Sequence, residues 1–164
     1  MTAIISPDKV YRYWLRRELP LWLGATPRTC LFIMLNPSTA DADADDPTIR
    51  RCKSFARTLE CPALEVVNLY AYRATEPRDL FAAQKTGVDI VGPNNAVHIQ
   101  SRHAAADITI AAWGANAPRG RVAEVLAMTG RADLFCLDTC QDGSPRHPLY
   151  VRAAAEIRPW SPNA

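Results

Sequence analysis

The sequence predicts one α/β domain, a three-layer α/β/α sandwich built on a four-stranded parallel core sheet. Three observations predict it. Four short apolar runs have the length of strands, segments with helical start signals lie between them, and 164 residues fit a single domain. Such apolar runs are typical of strands buried on both faces, and their alternation with helices is typical of parallel crossover connections.

The first half of the chain supplies two of these strands and two helices. Residues 30–35 form an unbroken apolar run that stops at an Asn-Pro pair, and residues 64–69 form the second run. Asp46 and Pro47 give a helix start, with Asp as the cap and Pro in the first turn. Pro77 marks the start of a second helix in the same way.

The second half continues the alternation. A helix over about residues 94–105 leads into a third strand at 108–113, and a helix over 119–128 leads into a fourth strand at 134–137. Residues 150–157 are expected to form a last helix.

The two ends of the chain lie outside this pattern. Residues 1–28 are expected to form an N-terminal extension packed on the domain, with an edge strand or a hairpin near residues 10–15. Arg12, Arg16 and Arg17 are expected on a solvated face of it. Residues 159–164 are expected to be a frayed tail.

Composition restricts the classes of function. The formal net charge of +2 neither requires nor excludes a nucleic-acid partner, because a local basic patch can exist within a near-neutral total. No apolar run has the length of a signal peptide core or a membrane span, so we expect a cytoplasmic protein without a membrane partner. The five cysteines are odd in number and form no C-x-x-C pair. They are interpreted as reduced, mostly buried thiols, and no metal or cofactor is expected.

Polar and aromatic residues follow each predicted strand. Ligands of open parallel sheets bind beyond the carboxyl ends of the strands, so these residues are the candidates for a site. They are Asn36, Pro37, Ser38 and Thr39 after the first strand, Asn68, Tyr70 and Arg73 at the second, Trp113 and Gly114 at the third, and Arg146 and His147 after the fourth.

Five segments carry a first resemblance. They are L-N-P-S-T-A-D at 35–41, a D-P-T helix start at 46–50, N-L-Y-A-Y-R-A-T at 68–75, W-G at 113–114 and H-P-L-Y at 147–150. Together they resemble a family of small bacterial and phage proteins of unknown function. The resemblance covers nearly the whole chain but implies little about activity.

The order of the same motifs is similar to that of the uracil-DNA glycosylase superfamily. In that superfamily a G-x-N-P-G motif ends the first strand, an asparagine ends a later one, and an H-P-S motif follows a strand that ends in a glycine turn. The counterparts are Asn36-Pro37, Asn68, Trp113-Gly114 and His147-Pro148. The resemblance implies a uracil-DNA-glycosylase-like fold and an activity on a nucleobase or nucleotide.

Some residues depart from the superfamily pattern. Ser38 stands where the glycine would be, and Leu149 stands where the serine of H-P-S would be. The acidic loop of Asp41, Asp43, Asp45 and Asp46 has no counterpart in those motifs.

The chemistry of cleaving a base from its sugar indicates a role for each candidate. His147 would stabilise the leaving base, and Asn36 or a carboxylate such as Asp46 would position water. Asn68 would read the base edge, and Tyr70 would stack on the base. Arg73 and Arg146 would hold phosphate.

Structural interpretations remain open beside these roles. The residues after the first strand are also turn formers, Asp46 is also a helix cap, and Trp113 is also a core residue. The leading hypothesis is hydrolysis of an N-glycosidic bond in DNA. A non-catalytic binder of a modified base or nucleotide is the alternative, and a metal-dependent phosphoesterase using the loop Asp41–Asp46 is the third. The oligomeric state is left open.

Overall fold

The computed structural model describes residues 2–20, 27–38, 45–130 and 134–162. These residues form an α/β structure with one seven-stranded mixed sheet and four α-helices. The strands are β1 Thr2–Ile5, β2 Arg12–Glu18, β3 Thr29–Met34, β4 Ala63–Asn68, β5 Ile108–Ala111, β6 Leu134–Cys136 and β7 Arg158–Trp160. The helices are α1 Pro47–Thr58, α2 Pro77–Lys85, α3 Asn95–Ala105 and α4 Arg119–Met128.

The strand order across the sheet is β1-β2-β4-β3-β5-β6-β7. β3 pairs in parallel with β4 on one side and with β5 on the other, and β5 pairs in parallel with β6. The antiparallel strands lie at the two sides, where β1 and β2 form a hairpin joined to β4 and where β7 joins β6. Of the two N-terminal alternatives the chain therefore has the hairpin, and its second strand lies within the sheet rather than at the edge.

Successive residues of β3 point to opposite faces of the sheet and enter two separate cores. On one face the core is completed by α1 through Ile49, Cys52 and Phe55. On the other face it is completed by α2, α3 and α4. Burial on both faces explains why this strand is an unbroken apolar run in the sequence.

The structure corrects the prediction for the C-terminal segment. Instead of a helix over 150–157, one 3₁₀ turn at Pro148–Tyr150 is followed by irregular chain. The expected frayed tail from residue 159 is likewise replaced in part by β7, because Trp160 pairs with Leu134 and its indole Nε1 donates to Gly143 O at 3.0 Å. The paired strand begins at Arg158, so this part of the expected tail is ordered and extended.

None of the helices in the described ranges is long and apolar enough to span a membrane. The carboxyl ends of β3, β4, β5 and β6 lie at one edge of the sheet, because the four strands are joined by parallel pairings. The candidate site is at this edge.

Candidate functional site

A cavity of about 510 Å³ lies where the chain leaves β3 and β5 and where the loop after β6 returns. Its size is typical of small-molecule sites. Seven of the residues singled out from the sequence line it: Asn36, Ser38, Asp46, Trp113, Gly114, Arg146 and His147.

Asp46 connects the start of α1 to the cavity. Its Oδ1 accepts from Ile49 N at 2.8 Å, which is a helix N-cap, and its Oδ2 accepts from Ser38 Oγ at 2.9 Å. The capping interpretation is therefore confirmed, and the same carboxylate lines the cavity. The Asp-Pro start of α1 is what places this negative charge beside the exit of β3.

The Asn36-Pro37 turn is fixed by the segment that follows β4. Asn36 Nδ2 donates to Ala74 O at 2.7 Å and to Pro37 O at 3.2 Å, and Pro37 O also accepts from Ala74 N at 3.0 Å. Pro37 is buried and supports the turn without lining the cavity. Both amide hydrogens of Asn36 are thus used within the chain, so Oδ1 is the atom that can still accept from a ligand or water.

His147 lines the cavity as a neutral imidazole. Burial lowers its pKa below the ordinary value, and the negative charge of Asp46 opposes this shift without reversing it. Its Nδ1 accepts from Leu149 N at 3.4 Å, so the proton of the neutral ring belongs on Nε2. The ring is therefore a hydrogen-bond donor at neutral pH.

The loop that carries His147 is anchored to the end of β5. Gly114 N donates to Pro145 O at 2.8 Å, and Gly114 has a φ of +76°, which favours glycine. Arg146 N donates to Asp138 O at 2.8 Å, and its guanidinium lies 3.4 Å from the Asp138 carboxylate. Trp113 is buried and packs edge-on against Trp160, so it acts as a wall of the cavity and as part of the core.

Asn68 is not among the residues that line the cavity, although the sequence placed it there. It pairs in register with Met34, which does line the cavity, but its side chain is only 2% exposed. Its carbonyl accepts from Asn95 Nδ2 at 3.0 Å, and its own Oδ1 has no hydrogen-bond partner. Asn68 thus lies behind the cavity wall.

Tyr70 and Arg73 also lie away from the cavity, which corrects the expected extent of the site. The segment after β4 runs as extended chain along residues 90–91 and the N-terminal hairpin, through bonds such as Ala71 N to Val91 O and Arg73 N to Val10 O. Tyr70 enters the core on the side of α2–α4, and Arg73 donates to Lys9 O at 3.1 Å. Long-range pairing carries both side chains away.

The acidic loop is only partly within the described residues. Thr39, Asp41 and Asp43 lie outside them. Asp45 pairs with Arg17 and Lys53, each at 2.7 Å. Burial is the largest single influence on the pKa of Asp45 and raises it, but Lys53 and Arg17 together outweigh burial, so the pKa is lowered. Across the described ranges, no group of three or more His, Cys, Asp or Glu side chains could hold a metal ion.

Arg12 is a cavity residue that the sequence analysis assigned to a solvated face. It is 4% exposed, lines the cavity, and its buried Nε has no hydrogen-bond partner. Burial lowers the pKa of Arg12 to about 10, which still leaves it charged at neutral pH, and Asp46 acts in the opposite direction. Its position follows from the pairing of β2 with β4, which the residue types alone do not indicate.

The cavity lining also includes Tyr150 and Cys140, which are not among the candidates from the sequence. Tyr150 is 74% exposed, and its ring centroid lies 5.9 Å from that of His147. The H-P-L-Y motif at 147–150 contains Tyr150 and is the signal in the sequence that points to it.

Comparison with known proteins gives a family. Residues 12–149 match the model of the family described as "Protein of unknown function (DUF1643)". The chain belongs to this family, and the matched region contains the strands β2 to β6 and every cavity-lining residue except Tyr150. The search of curated proteins gave no match, and the search of solved structures gave none either.

Proposed function

We propose that this member of the family is a hydrolase that acts on a nucleotide and cleaves its N-glycosidic bond, most concretely in DNA. One observation carries the proposal: a neutral imidazole donor and a carboxylate, His147 and Asp46, line the same nucleotide-sized cavity. Because both side chains belong to the lining of one cavity, both can reach a ligand that occupies it. A uracil-DNA-glycosylase-like fold is part of the proposal. It is supported by the position of Asn36, Gly114 and His147 after successive parallel strands.

The reaction needs a stabilised leaving base. When the bond between C1′ of the sugar and the base nitrogen breaks, its electron pair leaves with the base. His147 Nε2–H donates a hydrogen bond to an oxygen of that anionic base and lowers the barrier, without transferring its proton. The base then takes a proton from solvent. A protonated ring could transfer its proton to the base. Burial keeps the ring neutral, so His147 donates a hydrogen bond only.

The reaction also needs a water molecule directed at the sugar. The oxygen of this water forms the new bond to C1′, and its proton passes to the Asp46 carboxylate as general base. Asn36 Oδ1 accepts a hydrogen bond from the same water, since the Asn36 amide group is already fixed by Pro37 and Ala74. Asp46 then releases this proton to solvent, which replaces the one that the base took up, so the sum is one water consumed, one free base and one sugar hydroxyl formed.

The direct test is base release. Single- and double-stranded DNA carrying uracil, hypoxanthine or a hypermodified base is incubated with the protein, and abasic product is measured. We expect product with wild-type protein and at least a hundredfold less with His147→Gln. His98→Gln, on α3 and outside the cavity lining, is the matched control. Absence of abasic product from every substrate, where a control enzyme works, removes the proposal.

A non-catalytic binder of a modified base or nucleotide is the second candidate. One observation favours it. Both Asp46 oxygens accept hydrogen bonds within the chain, one from Ser38 Oγ and one from Ile49 N, and these bonds make the carboxylate a weaker proton acceptor. Binding that is abolished by His147→Ala and occurs without base release selects it.

A further inference from the structure

A buried cation that has no side-chain partner among the described residues lines the cavity. The Arg12 side chain is 4% exposed, its Nε has no hydrogen-bond partner, and no carboxylate of the described residues lies within 4.0 Å to form an ion pair with it. Leaving a buried charge unpaired is costly, and proteins usually avoid it by pairing. An arginine kept in this state beside a cavity therefore indicates an anionic ligand.

Among the residues that the structure describes, the surroundings of Arg12 do not supply that anion. Asp46 attracts Arg12, but the two side chains do not form an ion pair within 4.0 Å. Arg17 and Arg73 act on Arg12 with like charge. The cavity is thus the side from which negative charge can reach the guanidinium.

We propose that Arg12 forms a buried anion-binding subsite that takes the terminal phosphate of a nucleotide. This rests on the proposed function for the nucleotide part, and it goes further by naming the group that is recognised. A guanidinium matches phosphate oxygens in a two-pronged geometry and binds them with charge-assisted hydrogen bonds. The subsite has to take a terminal group, because an internal phosphodiester continues in both directions and does not fit at a side chain with so little exposure.

Two sources carry such a phosphate, a free mononucleotide and the phosphorylated end of a strand. The first experiment measures thermal stability and binding with five probes. They are inorganic phosphate, deoxyuridine, deoxyuridine 5′-monophosphate, and a short oligonucleotide in two forms, one with a 5′-phosphate and one with a 5′-hydroxyl. We expect phosphate to raise the Tm of the wild-type protein more than chloride at equal ionic strength. We expect the monophosphate to bind about tenfold more tightly than the nucleoside. The oligonucleotide pair shows whether a strand end is also accepted.

The second experiment removes the charge. Arg12→Met is expected to abolish both phosphate effects and to raise the Tm without ligand, because an uncompensated buried charge is removed. Arg12→Lys is expected to keep part of the phosphate effect, since it keeps the charge but loses the planar geometry. Arg78→Met is the matched control, because Arg78 is exposed on α2 and outside the cavity lining.

The outcomes separate the subsite from the proposed reaction. Equal Tm shifts with phosphate and chloride in the wild-type protein, or equal affinity for nucleoside and monophosphate, overturn the subsite whether or not Arg12→Met folds. A lower Tm for Arg12→Met with intact phosphate binding overturns it as well, since Arg12 is then structural. Phosphate binding that depends on Arg12 without any base release supports the subsite while the hydrolase proposal fails. Base release by the wild-type protein, together with phosphate binding that does not depend on Arg12, supports the hydrolase proposal while the subsite fails.

Discussion

Ser38 Oγ donates to Asp46 Oδ2 at 2.9 Å and thereby ties the exit of β3 to the start of α1. The other oxygen of the same carboxylate caps the helix at Ile49 N. One side chain thus stabilises the local fold and brings negative charge to the cavity, and the two roles can be separated by substitution.

Asp46→Asn keeps the cap but removes the charge. Asparagine caps helices as well as aspartate, so the free energy of unfolding should change by less than about 0.5 kcal/mol, whereas Asp46→Ala should lower it by about 1 kcal/mol. If Asp46 is the general base, base release should fall about a hundredfold or more in both variants. Urea unfolding and the abasic-product assay measure the two effects.

The control for Asp46 is Asp79→Asn, because Asp79 lies in the first turn of α2 and is exposed. It should leave both measurements unchanged. Full base release by Asp46→Asn would show that Asp46 is a cap only, and the water-directing role would pass to Asn36.

His147 should make the protein less stable in acid. Because burial lowers its folded pKa below the ordinary 6.5, the unfolded chain binds more protons than the folded chain between the two values. The stability is therefore fully present above about pH 6.5 and is lost as the pH falls through the folded pKa. His98 and His103, whose pKa values are also lowered chiefly by burial, add to the same trend.

Urea midpoints for the wild-type protein and His147→Gln, measured from about pH 5 to about pH 8, check this. The variant should show a shallower loss of stability in acid. NMR titration of the His147 ring should give a pKa below that of a histidine in an unfolded peptide. A His147 pKa above the ordinary value would contradict the neutral-donor role.

The part of the site that is local in sequence could be predicted. The apolar run of β3 stops at Asn36, and Asp46 with Pro47 is a helix start, so the cavity residues of these segments follow from short-range chemistry. The same holds for Gly114, which comes just after β5, whereas His147 lies on the longer loop after β6 that the bond from Gly114 N to Pro145 O holds at the cavity.

The rest depends on long-range pairing. Asn68, Tyr70 and Arg73 follow a strand just as Asn36 does, but the chain after β4 pairs with residues 90–91 and with the hairpin and turns away. Arg12 is buried only because β2 joins β4, and β7 forms only because β6 offers an open edge. No residue type or spacing near these positions specifies the partner segment, so the sequence could not predict them.

Tyr150 should contribute to ligand binding and little to stability. Its side chain is exposed at the cavity and close to His147, so a base that meets His147 can stack on it. Stacking of one base on an aromatic ring is worth about 1–3 kcal/mol, so Tyr150→Ala should weaken nucleotide binding about tenfold. The Tm should stay unchanged.

Val97→Ala is the control for Tyr150, because Val97 is a similarly exposed apolar residue on α3 and outside the cavity lining. Unaltered nucleotide affinity in Tyr150→Ala would remove the stacking role. Tyr150→Phe should retain the affinity, since the ring rather than the hydroxyl is used.

Cys140 should report occupancy of the cavity by its reactivity. All five cysteines are free thiols, as the sequence predicted, and Cys140 alone among them is partly exposed. Burial raises the pKa values of Cys52 and Cys136 and makes their thiolates scarce. Brief alkylation of the native protein, followed by mass spectrometry of peptides, should therefore label Cys140 first.

A nucleotide bound in the cavity should slow this labelling, whereas the nucleotide should not change the rate at which the denatured chain is labelled. Cys140→Ser should lose the fast phase altogether. Equal labelling of Cys140 with and without a nucleotide that is independently shown to bind would place that nucleotide outside the cavity. The roles proposed for His147 and Arg12 would then be contradicted.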